Sequence, residues 1–131
     1  MDQQFEDGLK MRKQVMGDAF VDQAFANADD FTQPLQEFIT RNAWGTVWCR
    51  DGLDHKTRSL ITLSMLTALG RIQELKGHVR GALNNGATVD EIREVLLHAT
   101  VYCGVPLAID AFRAAQEVIS ASAPAKDSLK K

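Results

Sequence analysis

The run Ser59-Leu60-Ile61-Thr62-Leu63-Ser64-Met65-Leu66-Thr67-Ala68-Leu69 decides how this chain folds. Apolar or small side chains stand on nearly every side of it, the pattern of a helix enclosed by other helices. Asp54 offers an N-cap before it and Gly70 ends it. Outward from this run, apolar positions recur at three and four residues, and Gly, Pro or Asx clusters interrupt them. Alternating strand patterns are nearly absent, so the fold class expected is all-α, with about six to seven helices.

Upstream, residues 3 to 16 form an amphipathic segment that stops at Gly17, and a short helix follows from about 18 to 28. A third helix, capped by Asp30 and with Pro34 in its first turns, is expected to bury Leu35, Phe38 and Ile39 and to end near Trp44-Gly45. Residues 46 to 52 read as a connecting loop. Downstream, a helix over about 71 to 84 stops at Asn84-Asn85-Gly86, where a left-handed residue is favoured. Thr88-Val89-Asp90-Glu91 has the spacing of a capping box and starts a helix reaching about Tyr102. Gly104 and Pro106 mark the next break, and a last helix runs to about Ala121, with the tail after Ser122 expected to fray.

At 131 residues the chain is expected to be a single domain, 1–131, with its core in about 5–120. So short a chain has few neighbours with which to cover a fully apolar helix, so self-association is expected. Trp44 and Trp48 suit either a subunit interface or the core. A net charge of -2 gives no positive field for holding nucleic acid. The acidic start, Met1 to Asp7, lacks the pattern of a signal peptide, and no apolar run is long enough to span a bilayer. The expectation is a cytoplasmic protein without membrane or nucleic-acid partners. Cys49 and Cys103 lie far apart and form no CxxC motif, so two reduced thiols are expected.

The chemistry is concentrated in Arg71-Ile72-Gln73-Glu74-Leu75-Lys76-Gly77-His78-Val79-Arg80-Gly81. On a helix Ile72, Leu75 and Val79 make a core stripe, while Glu74 and His78 stand one turn apart along its edge. A carboxylate four residues before an imidazole can orient the ring and raise its pKa, giving a proton donor and acceptor near neutrality. An exposed i,i+4 pair without function has the same spacing. Gly77 and Gly81 each cost about 1 kcal/mol relative to Ala, which points to a close approach to the backbone there. Glu74, His78 and His98 offer donors for a divalent ion, but no HExxH-like third-ligand pattern accompanies them.

Taken with its surroundings, this helix resembles that of the gamma-carboxymuconolactone decarboxylases. The residues that carry the likeness are Phe38 to Trp48, Thr57-Arg58-Ser59-Leu60, Glu74-Leu75-Lys76-Gly77-His78-Val79-Arg80, Asn84-Asn85-Gly86 and Tyr102-Cys103-Gly104-Val105-Pro106. In the alkylhydroperoxidase D-like proteins of the wider superfamily, a CxxC motif precedes a His by four residues. Here Arg71 and Glu74 stand at the two cysteine places, which excludes dithiol peroxidase chemistry on this helix. The resemblance implies an all-helical, alkylhydroperoxidase D-like protomer, assembled as a trimer or hexamer. It also implies conversion of 4-carboxymuconolactone to 3-oxoadipate enol-lactone and carbon dioxide, in the protocatechuate branch of the beta-ketoadipate pathway.

In that lactone the departing carboxylate sits next to a C=C bond conjugated with the ring carbonyl, so the substrate is its own electron sink and no cofactor or metal is obligatory. His78, oriented by Glu74, is the expected proton donor and oxyanion stabiliser. The acetate arm calls for a fixed cation. Arg58, early in an otherwise apolar helix, is the first candidate, with an internal ion pair to an acid such as Glu37 as the competing reading. Arg41 beside Trp44 is the second, and Tyr102, His55 and His98 serve either pocket or packing. The same pair also suits a related small-acid or lactone lyase or a hydrolase. The reading from another class is a non-catalytic oligomer or a single-thiol redox protein using Cys103.

Overall fold

A computed structural model describes residues 2–122. The described residues form seven α-helices and one π-helical segment, with no strand among them. They fall into two compact units, one ending at His55 and one starting at Lys56. The expected fraying after Ser122 lies outside the described residues.

In the first unit, α1 (Gln3–Met16) is capped by Asp2, whose carboxylate accepts from Phe5 N at 3.0 Å. It ends at Gly17, where φ is +95°, as the sequence predicts. After α2 (Asp18–Ala26) the chain departs from expectation. Asp29, not Asp30, organises the next start by accepting from Phe31 N and Thr32 N at 3.0 Å, and α3 covers only Gln33–Phe38. Leu35 and Phe38 are exposed rather than buried. A π-helix, Ile39–Trp48, continues from α3 and absorbs residues 46 to 48 of the expected loop.

The π segment is held from outside. The side-chain amide of Gln4 donates to Arg41 O at 3.0 Å and to Thr46 Oγ1 at 2.7 Å, so α1 occupies a carbonyl that ordinary α bonding would have used. Thr40, Trp44 and Trp48, spaced by four, face inward, and the two indoles stack at 4.8 Å over Val15, Met16 and Val21. Gly8 lets α1 pass against this segment. A Cβ there would run into the Thr40 carbonyl and come within 2.9 Å of Gly45 N.

The second unit begins with α4 (His55–Leu69), which Gly70 ends with φ +69°. Leu63 of α4 shares a core with Leu75, Val79 and Ala82 of α5 (Ile72–Asn84), Ile92 and Leu96 of α6 (Val89–Cys103), and Ala111 and Val118 of α7 (Val105–Ser122). The end signal of α5 and the start signal of α6 behave as expected. Gly86 is left-handed at φ +91°, and both bonds of the Thr88/Glu91 capping box form. The full enclosure expected of α4 does not hold within the chain: Ser59, Leu63 and Thr67 are buried, but Met65 and Leu69 are 57% and 71% exposed, with Ile61 on the same stripe. No helix among the described residues is long and apolar enough to cross a membrane.

Candidate active site

The α5 helix places its groups by angle. Leu75, Val79 and Ala82 are fully buried in the core, and the edge beside them carries His78 and, one turn earlier, Glu74. Gly77 and Gly81 are buried as well, so this side of the helix is sheltered near His78. His78 Nδ1 has no access to solvent. Glu74 lies in the first turn, where a carboxylate complements the helix dipole, and half of its side-chain surface is open.

The electrostatics follow this gradient of burial. Arg71 Nε donates to Glu74 Oε1 at 3.1 Å, and that contact is the main reason the carboxyl titrates below its ordinary range. At His78 burial dominates and lowers the pKa, while the charge of Glu74 opposes it without winning. Glu74 does raise the imidazole's pKa, as expected, but burial outweighs it and the net shift is downward. His78 therefore favours the neutral imidazole at neutral pH. Its burial disfavours the charged form more than a half-solvated carboxylate one turn away can offset.

Arg58 lies in the first turns of α4, with Nε shielded from solvent. Asn85 Nδ2, at the C-cap of α5, donates to Ser59 Oγ of α4 at 2.9 Å. Tyr102, on α6, is 78% exposed with its ring against His98 at 5.1 Å. In the first unit, Arg41 pairs with Asp2 at 3.3 Å and lies over the Phe5 ring, Trp44 is buried in the core, and His55 sits 6.2 Å from Trp48. Cys49 and Cys103 are free thiols. Among the described residues no three His, Cys, Asp or Glu side chains converge so as to hold a metal ion.

The sequence reading missed Arg12, which is 6% exposed. Its Nη1 donates to Thr40 Oγ1 at 3.1 Å, its guanidinium lies over Phe25, and burial lowers its pKa. The signal was available: Arg12 falls at helical spacing on the stripe of α1 that carries Phe5 and Met16.

The model of the carboxymuconolactone decarboxylase family matches residues 33–117, a span that includes α5 and its Glu74/His78 edge. The chain belongs to the carboxymuconolactone decarboxylase family. It is accordingly a decarboxylase, a carboxy-lyase of that family. It is 52% identical over 116 residues to the nitrosuccinic acid decarboxylase npaB of Metarhizium robertsii, covering 88% of this chain and 81% of that protein. It is 45% identical over 117 residues to the 4-carboxymuconolactone decarboxylase of Acinetobacter baylyi, covering 89% and 87%. Arg71 and Glu74, at the places where the alkylhydroperoxidase D-like pattern has its two cysteines, are joined in this chain by an ion pair.

Proposed function

We propose that this decarboxylase acts on 4-carboxymuconolactone, giving 3-oxoadipate enol-lactone and carbon dioxide in protocatechuate catabolism, as a cytoplasmic homo-oligomer. The observation that carries the reading is the sheltered imidazole of His78 beside the ionised carboxylate of Glu74, on a helix inside the family match.

The acids named for the two relatives share one arrangement. Each has its departing carboxylate and a carboxymethyl arm on the same carbon, and that carbon bears an electron acceptor. The acceptor is the unsaturated lactone in one acid and the nitro group in the other. Breaking the C–CO₂ bond sends the electron pair onto an acceptor oxygen, carbon dioxide leaves, and a proton returns to carbon. A site built for this succinate core needs a cation for the arm, a donor at the growing oxyanion and a proton source.

His78 fills the last two roles. Burial favours its neutral form and a bound dianion favours the protonated one, so the imidazolium forms where negative charge develops. Arg58 is assigned to the acetate arm. Arg41 is the second choice because Asp2 already engages it, and Trp44 and Tyr102 remain candidates for contact with the substrate. The open stripe Ile61, Met65 and Leu69 on α4 supports a homo-oligomer in which another copy covers it.

The 52% identity to npaB favours nitrosuccinate as the second reading of the same site. The test is carbon dioxide release from both acids side by side, with and without a chelator. Faster chelator-insensitive turnover of 4-carboxymuconolactone supports the proposal. Turnover of nitrosuccinate alone replaces it with the second reading, and turnover of neither removes both.

A further inference from the structure

Helices α6 and α7 both pack into the core shared with α5, through Ile92 and Leu96 of α6 and Ala111, Ala114, Ala115 and Val118 of α7. Between the two helices runs a groove of about 450 Å³, where Ile92, Leu96 and Ala115 of that core form the floor and Ile109, Phe112 and Ile119 the walls. Its volume is that of a small-molecule site, and its lining is almost wholly carbon.

Two guanidinium groups border this apolar trough. Arg93 is turned to Asp90 on its own helix, which neutralises it locally. Arg113, next to Phe112, forms no ion pair or hydrogen bond with another described residue. The acids nearest its far side do not satisfy it, since Glu117 is engaged by Lys76 at 2.6 Å and Asp110 makes no pair with it. Gln116 adds an amide donor to the same rim. A cation with no partner among the described residues and an amide at the lip of a carbon-lined groove suit a ligand with one anionic end and an apolar body.

We propose that the α6/α7 groove binds a small apolar monocarboxylate, an aryl- or alkyl-substituted acid whose carboxylate meets Arg113 and whose hydrocarbon part covers Ile92, Leu96 and Phe112. This ligand class differs from the dicarboxylate of the decarboxylation, and none of the lining residues lies on α5. The assignment does not depend on His78.

The full chain, with isoleucine methyls isotopically labelled, is titrated with 4-phenylbutyrate and with the neutral 4-phenylbutyramide while methyl NMR shifts are followed. Saturable shifts at Ile92, Ile109 and Ile119 are expected, with the acid bound about ten-fold more tightly than the amide. Arg113→Gln, at an exposed position, levels the two affinities, and Gln116→Trp at the rim blocks both ligands. Equal affinities in the unaltered chain, or no shift at these methyls at millimolar ligand, overturn the proposal. So does movement of the same methyls on simple dilution, which shows that a second copy already fills the groove.

Discussion

Arg71 Nε lies 3.1 Å from Glu74 Oε1, and Glu74 stands one helical turn before His78. Two charges and a neutral imidazole thus run in order from the N-cap of α5 into the interior. The arginine holds the carboxylate ionised, and the carboxylate partly offsets the burial of the imidazole. The pair is exposed enough to add little to stability, so its consequence is electrostatic.

Glu74→Gln removes the one influence that raises the pKa of His78 while leaving its burial in place. The imidazole should titrate lower in the variant than in the unaltered chain, followed by NMR of its ring Cε1 proton. The pH limb of kcat/KM assigned to His78 should move down with it. A pKa that stays or rises would show that the carboxylate does not act on the ring.

His78→Ala should lower carbon dioxide release at least about 100-fold, the lower end of what proton transfer by a placed side chain contributes. Helical circular dichroism and sedimentation should be unchanged. Turnover near that of the unaltered chain would take His78 out of the mechanism.

Arg58→Ala separates binding from folding. Loss of the cation for the acetate arm should raise KM by about ten-fold or more with a small change in melting temperature. A large fall in melting temperature with unaltered kinetics would assign Arg58 to an internal ion pair.

The helix ends were legible because their causes are local. Gly17, Gly70 and Gly86 adopt positive φ where the sequence places them, and Thr88 with Glu91 closes its box using only its own turn. The Glu74/His78 edge was legible from spacing and from the family pattern around it. The π-helix was not, since the support of its Arg41 carbonyl comes from Gln4 on another helix. The open stripe of α4 was missed because apolarity on all sides specifies a need for cover and not its source. The sign of the His78 shift depends on depth of burial against the exposure of Glu74, which no spacing encodes.

Depth of burial also sets a pH dependence of stability. His78 titrates below its ordinary value of about 6.5 when folded, so the unfolded chain binds the extra proton first as pH falls. Stability from this residue is complete above about pH 6.5 and is lost as pH drops toward the folded pKa. Thermal melts stepped down from pH 7.5 should show a declining melting temperature in this window. That decline should flatten in His78→Gln. An equal slope in both would assign the loss to other groups.

Gly8→Ala tests the packing of the first unit, where α1 crosses the π-helix with no room for a side chain. The added Cβ meets backbone, the Thr40 carbonyl and Gly45 N, and not the end of a flexible side chain that can swing away. Helix propensity alone favours Ala over Gly by about 1 kcal/mol, so the two effects oppose each other and the sign decides between them. Overpacking against fixed backbone should win and leave the variant less stable by about 2 kcal/mol in denaturant unfolding. Gly52→Ala, with nothing within 4 Å of its added carbon, should change stability by less than about 0.5 kcal/mol. A Gly8→Ala chain as stable as the original would mean that α1 and the π-helix separate freely, and that the Gln4 bonds to Arg41 O and Thr46 do not fix their approach.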